Sequence, residues 1–220
     1  MPNLTRNFTG ATVGSGKPRI LVVGLGNVSH PGTRHSVGQQ IVEALANHLG
    51  TTMTYDRSVN SWIAFATTTM RTRTPRNKKG KSSYIEGSEQ EVELVMVKPK
   101  PLMNISGPAV SKAYKAHIRP APLASTVIVI HDSLAHKTLQ TSIKRGGSAG
   151  GHNGVRSAVD ALGSPDFARI RVGIGAHRGD AATYVLENMS GTERSYWSST
   201  EACEKILLDI ETLVSDSAET

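Results

Sequence analysis

Short apolar runs alternate with helical patterns along most of the chain. Apolar and β-branched runs predict strands at Arg19–Val23, Trp62–Thr69, Leu94–Val97, Thr126–His131, Thr138–Ile143 and Ile170–Ile174. Helices are predicted at residues 37–49, Asn104–His117, Val155–Leu162 and Thr192–Val214. Strands that alternate with helices are typical of an α/β fold whose sheet carries helices on both faces.

Two segments depart from that alternation. Residues Met1–Lys17 are rich in Gly, Ser and Thr without periodicity, which predicts a disordered N-terminal arm over 1–17. Residues 71–92 open with six basic residues and no acid between Arg71 and Lys81, and glutamates follow. We interpret this stretch as a solvated basic loop insertion rather than an RNA-binding arm. Because no repeat or linker divides the rest, residues 18–220 are predicted to form a single domain.

Composition narrows the class of protein. Apolar residues make up 38% and charged residues 20% of the chain, as in globular proteins. No apolar run approaches the roughly 18 residues of a membrane helix, and no secretory core is present. The single cysteine, Cys203, excludes an internal disulfide and favours a reducing compartment. We therefore expect a protein that is neither secreted nor anchored in a membrane.

Positive charge is concentrated in the body of the chain. Residues 1–179 contain 23 Lys and Arg against 9 Asp and Glu, whereas residues 180–220 contain 2 against 9. A basic body favours a polyanionic partner such as nucleic acid, and a basic protein without such a partner is the open alternative. Aromatic residues, at 5%, are too sparse to predict a face of bases stacked on rings.

Several well-known motifs are incomplete or missing. Gly24-Leu25-Gly26 follows the first strand, but Ser29 replaces the third glycine of a dinucleotide fingerprint and no helix opens directly after it. The sequence has no Walker lysine motif and no Gly-x-Ser-x-Gly nucleophile elbow. The histidines form no i,i+4 pair around a glutamate. We therefore predict no cofactor and no metal.

Polar residues gather where the predicted strands end. They are Asn27, His35, Asn104, Asp132, His152 and Asn153. In an open α/β sheet, ligands bind at the carboxyl ends of the strands, so we expect these side chains to converge. A histidine with an aspartate and several asparagines, without a nucleophile, favours general-base activation of water.

Each of these residues also has a purely structural interpretation. His35 fits a cap or a surface position, while Asp132 and Asn104 fit helix N-caps. The glycine-rich turn before Asn153 fits a tight connection. Composition and spacing leave both interpretations open.

The motifs around these residues resemble those of bacterial-type peptidyl-tRNA hydrolases. Six segments match in family order, namely Ile20–Asn27, Thr33–Gly38, Val97–Gly107, Val129–Leu134, Lys144–Gly154 and Arg169–Gly175. Together they span about residues 18–190. The sequence departs from the family pattern at Ser36, where an asparagine is usual, and in the short step from Asn27 to His35.

The resemblance implies a fold and a set of roles. The fold is a single-domain α/β structure with a twisted mixed β-sheet and helices on both faces. The activity is hydrolysis of the ester between an N-blocked (peptidyl) amino acid and tRNA, with no metal. The implied roles are catalysis by His35, Asp132 and Asn27, substrate binding by Asn104, Asn153, Met103 and His152, and tRNA phosphate binding by Lys144, Arg145 and Arg171.

The resemblance also implies a partner and leaves one alternative. It implies peptidyl-tRNA as the substrate, a monomer with no obligate protein partner, and a cytoplasmic or mitochondrial location. Some chloroplast intron-splicing factors look like this family, so a non-catalytic RNA-binding member is the alternative. The complete set of Asn27, His35, Asn104, Asp132 and Asn153 favours the enzyme.

Overall fold

The computed structural model describes residues 11–12, 16–73, 83–176 and 179–216. The strands are β1 Ala11–Thr12, β2 Pro18–Gly24, β3 Thr54–Asp56, β4 Ser61–Arg73, β5 Tyr84–Pro99, β6 Val127–Ser133, β7 Thr141–Arg145 and β8 Ala168–Gly173. The helices are α1 Val37–His48, α2 Gly107–His117, α3 Leu123–Thr126, α4 Asn153–Leu162, α5 Ala181–Leu186, α6 Gly191–Trp197 and α7 Thr200–Asp216. Within these ranges, no helix is long and apolar enough to cross a membrane.

One mixed sheet organises these elements in the order β3-β4-β5-β2-β6-β8-β7, with β1 paired to the start of β2. Strands β5, β2, β6 and β8 run parallel, and β3, β4 and β7 join antiparallel at the two sides. The parallel strands therefore end at one edge of the sheet. This architecture confirms the predicted mixed α/β fold.

The central strands are apolar on both faces because helices cover both. Ile20 and Val22 of β2 pack into a core shared with α1 and α7, while Leu21 and Val23 pack on the opposite face with α2 and α4. All four side chains are fully buried. A strand buried on both sides reads as a continuous apolar run, which explains why β2 and β6 are visible in the sequence.

Two glycines let α1 lie close against the sheet. A Cβ atom at Gly24 would lie 2.2 Å from the carbonyl oxygen of Gly38, and one at Gly38 would lie 2.3 Å from that of Ile130. Neither separation is possible for a real side chain. The contact brings the start of α1 to the ends of β2 and β6, where the polar residues gather.

The predicted loop insertion over 71–92 is mostly strand. Strand β4 continues to Arg73 and β5 begins at Tyr84, so residues 74–83 separate the two strands, and 74–82 of these lie outside the described residues. Their register sets Arg71 opposite Glu89. Opposite charges across a ladder stabilise a solvated hairpin. Arg71, Arg73 and the glutamates at 89, 91 and 93 therefore lie in strands, whereas the basic residues from Arg76 to Lys81 lie outside the described residues.

Smaller differences concern the ends of elements. Most of the predicted N-terminal arm lies outside the described residues, but Ala11–Thr12 pair with β2 as β1. The predicted C-terminal helix is two helices, because α6 ends at Trp197 and the Ser199 hydroxyl accepts the N–H of Ala202 at the start of α7. Serine at such a position is a strong N-terminal signal.

Candidate active site

A cleft of about 860 Å³ opens at the edge of the sheet where the parallel strands end. It is lined by nine of the ten predicted site residues, namely Asn27, His35, Met103, Asn104, Asp132, Lys144, His152, Asn153 and Arg171. The tenth, Arg145, does not line it. The convergence expected from the strand ends is therefore observed.

His35 and Asp132 are joined by a hydrogen bond across two elements. Asp132 lies near the end of β6 and is only 4% exposed, while His35 lies in the 3₁₀ turn that leads into α1. His35 Nδ1 lies 2.8 Å from Asp132 Oδ1. Because an ionised carboxylate only accepts, Nδ1 carries the proton and donates it. The other nitrogen, Nε2, is then left with its lone pair.

His152 binds the same carboxylate oxygen from the other side. Its Nε2 lies 2.9 Å from Asp132 Oδ1. Its Nδ1 accepts the backbone N–H groups of Gly154 at 3.1 Å and Val155 at 3.2 Å, and so caps α4. Since Nδ1 accepts, Nε2 is the N–H that donates to Asp132. Both ring nitrogens of His152 are thus occupied within the protein, and its role in substrate binding stays a prediction.

The electrostatic environment keeps the Asp132 carboxylate ionised. Burial alone would raise its pKa, but the interactions with His152 and His35, including the hydrogen bonds that both rings donate, outweigh burial and hold the pKa well below its ordinary value. An ionised Asp132 can accept from both imidazoles at once. It therefore fixes the tautomer of each ring.

His131 lies next to Asp132 and His152. It was not identified as a site residue from the sequence. Its buried Nδ1 donates to the backbone oxygen of Asp132 at 2.8 Å, and its ring centroid lies 4.6 Å from that of His152. Burial, followed by the proximity of the His152 ring, lowers the pKa of His131 to about 3. It is therefore uncharged at neutral pH. Its position directly before Asp132 in the strand was the only signal that the sequence offered.

These shifts predict that the fold is destabilised by acid. In the unfolded chain His131 titrates near its ordinary 6.5, whereas in the fold its pKa is about 3. Between these pH values the unfolded state binds more protons, so the free energy of unfolding falls as pH falls, on the order of 3 kcal/mol from pH 6.5 to 4. The pKa of Asp132 is also lowered in the fold. Below the ordinary pKa of an aspartate, its protonation in the unfolded chain therefore lowers the free energy of unfolding further.

Urea unfolding between pH 7 and pH 4 measures this effect. The variant His131→Asn keeps an amide N–H for the Asp132 carbonyl but cannot be protonated in this range. We expect a shallower loss of unfolding free energy in the variant than in the wild type. If the free energy of unfolding fell equally steeply with pH in both proteins, His131 would not be the group responsible for the acid sensitivity.

Asn27 ties the loop after β2 to the turn before α2. Its Oδ1 accepts the backbone N–H of Met103 at 2.7 Å. Its Nδ2 has no hydrogen-bond partner among the described residues and remains a donor in the cleft. Met103 in turn fills the space beside Gly154, where a Cβ atom would lie 2.2 Å from its Sδ. Three elements therefore meet at Met103.

Hydroxyl groups close the short loop between Asn27 and His35. The Ser36 hydroxyl accepts the backbone N–H of Asn27 at 3.0 Å and is 2.9 Å from the carbonyl oxygen of His30. Thr33 adds a hydroxyl contact to Ser36 at 3.1 Å. Ser36, which differs from the family's usual asparagine, thus holds this loop in place.

The two remaining asparagines stand on exposed parts of the cleft wall. Asn104 lies in the 3₁₀ turn Met103–Ile105, and Asn153 is the first residue of α4. Both side chains line the cleft. The exposed side chains of Leu102 and Leu186 border the same opening. The cleft thus combines polar amides with an apolar rim.

Lys144 and Arg171 make one part of the cleft lining basic. In the ladder, Arg171 lies opposite His131 and Lys144 lies opposite Arg169, which places these four side chains on one face of the sheet. The buried Nε of Arg171 has no hydrogen-bond partner among the described residues. Arg145 lies on the opposite face, where its Nη2 donates to the carbonyl oxygen of Leu213 at 2.7 Å. The structure therefore separates Arg145 from Lys144 and Arg171.

Arg169 supports the glycine-rich loop and was not assigned a role from the sequence. It is 2% exposed, and its guanidinium donates to the carbonyl oxygens of Gly146, Gly147 and Ser148, the last two at 2.9 and 3.0 Å. Burial, followed by the charge of Arg171, lowers the pKa of Arg169. An arginine inside an apolar strand pattern was the available signal.

One group of side chains has the composition of a metal site. Single ligand atoms of His35, Asp132 and His152 lie within 4.8 Å of one another. Two imidazoles and a carboxylate are donors that zinc accepts. Both imidazoles already donate hydrogen bonds to Asp132 Oδ1, and a cation would have to displace the two protons involved. The expectation of a metal-free site stays a prediction.

Comparison with known proteins agrees with this geometry. The sequence model of the family described as peptidyl-tRNA hydrolase matches residues 21–220. The peptidyl-tRNA hydrolase of Geobacter sulfurreducens is 37% identical over 179 residues, which cover 79% of this chain and 78% of the relative. That of Mycobacterium avium is 36% identical over 180 residues, covering 80% and 82%.

Solved structures give the same result. A crystal structure of the peptidyl-tRNA hydrolase from Acinetobacter baumannii superposes with a TM-score of 0.66 at 28% identity and covers 93% of both chains. Sequence, fold and the arrangement of the cleft thus agree. The chain belongs to the peptidyl-tRNA hydrolase family of enzymes.

Proposed function

We propose that this protein hydrolyses the ester bond between a peptidyl group and the terminal ribose of tRNA by general-base activation of water at His35. The observation that carries this proposal is the shared carboxylate of Asp132, which binds His35 at 2.8 Å and His152 at 2.9 Å. It leaves one imidazole nitrogen, His35 Nε2, without a proton in a cleft that also holds amide and basic groups.

The chemical step transfers one proton and returns it. His35 Nε2 takes a proton from water while the water oxygen attacks the ester carbon. Asp132 stabilises the imidazolium that forms and keeps its orientation, without becoming protonated itself. The tetrahedral intermediate then breaks the bond to the ribose oxygen, which receives the proton from His35. The products are a free peptide carboxylate and a tRNA with a free hydroxyl group.

Amide side chains supply hydrogen bonds to the acyl part. Asn27 Nδ2 is the best placed donor for the developing oxyanion because its Oδ1 is fixed on Met103. A preorganised donor of this type contributes about 2.7–4 kcal/mol. Asn104 and Asn153 offer both donor and acceptor atoms to a peptide backbone, and Met103 forms an apolar wall.

The charge of the cleft explains a preference for a blocked amine. Among the described residues that line the cleft, Asp132 is the only acid, and its Oδ1 is occupied by two histidines. A free α-ammonium group would therefore be desolvated without a counter-charge, which is costly. A peptide N–H carries no charge and is accommodated by the asparagine oxygens.

Release of labelled N-acetyl-aminoacyl groups from tRNA tests the proposal. We expect purified protein to cleave N-acetyl-aminoacyl-tRNA and to leave unblocked aminoacyl-tRNA largely intact. Tight tRNA binding without ester cleavage would instead support the non-catalytic RNA-binding alternative. A monomeric state and a cytoplasmic or mitochondrial location stay predictions that this assay does not address.

Lys144 is expected to bind a phosphate of the tRNA. Replacing Lys144 with alanine should raise the KM for peptidyl-tRNA several-fold and leave kcat nearly unchanged. It should also reduce the slope of log affinity against log salt concentration by about one, because one phosphate contact is lost. Arg145→Ala is the matched control, since its side chain lies on the other face of β7 and bonds Leu213. An unchanged salt slope in the Lys144 variant would remove it from the phosphate contact.

A further inference from the structure

Two aromatic rings and two lysines form a surface cluster around β3, β4 and the end of β5, outside the lining of the cleft. The ring centroids of Tyr55 and Trp62 lie 5.1 Å apart at an angle of 54°. Lys100 Nζ lies 5.0 Å from the Tyr55 centroid, and Lys98 Nζ lies 5.7 Å from that of Trp62. We name these four residues the aromatic platform. The mechanism described above uses none of them.

The aromatic platform is held in place by the sheet and by α1. Tyr55 lies opposite Trp62 and Trp62 lies opposite Lys98, so the three side chains share one face. The Tyr55 hydroxyl donates to Asn60 Oδ1 at 2.7 Å, and Lys98 Nζ donates to Glu43 Oε2 at 2.8 Å. The rings are therefore fixed before any partner binds, which lowers the entropic cost of binding.

The aromatic platform and the cleft lie at the same edge of the sheet. Ser61 pairs with Pro99, so the turn between β3 and β4 sits where β5 ends. Strand β4 is two strands from β2 in the sheet, a distance of about 10 Å. Lys100 also precedes Asn104 by only four residues, which limits their Cα separation to about 14 Å. A few nucleotides of single strand span this distance.

We propose that the aromatic platform stacks an unpaired base of the tRNA 3′ end, upstream of the nucleotide that carries the ester. This inference rests on the proposed function. Every base offers a π face to an aromatic ring, and adjacent lysines attract the neighbouring phosphates. Tyr55 is 39% exposed and so presents part of its ring to solvent.

The surrounding charges favour RNA over an acidic or apolar protein segment. The acids nearby are already engaged, Glu43 with Lys98 and Asp56 with the backbone and hydroxyl of Ser58. Lys100 is exposed and forms no ion pair with a described residue. The composition, with 5% aromatic residues, argued against a stacking face. The β3–β4 register overcomes that scarcity by placing two rings side by side.

Tryptophan fluorescence gives a direct test that needs no catalysis. The chain has two tryptophans, and Trp197 is 2% exposed, so Trp62 is the one that solvent and ligands reach. We expect the unesterified trinucleotide CCA to quench emission in a saturable way, and Trp62→Phe to abolish that change. Unchanged emission at saturating trinucleotide, or the same quenching in Trp62→Phe, would overturn the proposal.

Kinetics with substrates of increasing length give the second test. The same N-acetyl-aminoacyl ester is attached to adenosine, to CCA and to full tRNA. Tyr55→Ala and Trp62→Ala are expected to raise KM about tenfold for CCA and tRNA and to leave adenosine unchanged, because stacking of one base is lost. Tyr55→Phe and Trp62→Phe keep a ring and should retain most of the affinity.

The outcomes separate this inference from the proposed function. Equal loss on all three substrates would show that the aromatic platform serves the peptide or the fold, and no loss on CCA would show that it binds no base. Either result overturns the inference. If the wild type cleaves none of the substrates, the proposed function fails, while the fluorescence titration with CCA still decides whether the aromatic platform binds RNA.

Discussion

Replacing His35 with alanine is expected to lower kcat for peptidyl-tRNA by about 10²–10⁴-fold, the usual contribution of a positioned general base. The variant removes the proposed base, whose Nδ1 bonds Asp132, while the basic side chains that line the cleft stay intact. Affinity for deacylated tRNA should therefore stay within about twofold of the wild type. Single-turnover hydrolysis and tRNA binding, measured on the same preparation, separate the two effects.

The matched control for this variant is His30→Ala. His30 also lines the cleft, but its ring bonds the Ser29 hydroxyl, whereas the described partners of the Asp132 carboxylate are His35 and His152. We expect His30→Ala to retain its rate within a small factor. A wild-type rate in His35→Ala, or an equal loss in both variants, would end the assignment of His35 as the base.

Replacing Asp132 with asparagine is expected to reduce kcat by about 10³–10⁴-fold. An amide has nearly the shape of the carboxylate, but it carries no charge to stabilise the imidazolium, and its NH₂ group competes for the place of Oδ1. The corresponding change in a Ser-His-Asp triad lowers kcat by about 10⁴-fold because it selects the wrong tautomer.

KM and tRNA affinity separate this effect from a general loss of structure. Asp132 is buried behind two histidines, so we expect both quantities to change little in Asp132→Asn. Thermal unfolding checks that the variant folds. A loss of less than tenfold in kcat in a folded variant would show that the carboxylate does not steer His35.

The sequence predicted the strands that are buried on both faces and the residues that follow them. Strands β2 and β6 appear as unbroken apolar runs because both helical layers cover them. Asn27 and Asp132 come at the ends of these strands, so the general rule for parallel sheets was sufficient to place them in one cleft. The roles of individual residues came from resemblance to the family.

Other features depend on contacts that no local pattern encodes. The charge run from Arg71 to Lys81 indicated a loop, although the flanking residues pair across a long hairpin. Lys144 and Arg145 are neighbours in sequence, but strand alternation sends them to opposite faces of the sheet. His152 both donates to Asp132 and caps α4, and the sequence identifies neither of these hydrogen-bond partners.

The contact between Met103 and Gly154 limits where the specificity of this enzyme can be redesigned. Any side chain at position 154 would collide with Met103 Sδ, and Met103 is bonded through its N–H to Asn27. Enlarging that position would thus disturb Met103 and the Asn27 amide that is bonded to it. Variants designed to accept other acyl groups should therefore change Leu102 and Leu186 at the exposed rim of the cleft, and should keep Met103 and Gly154.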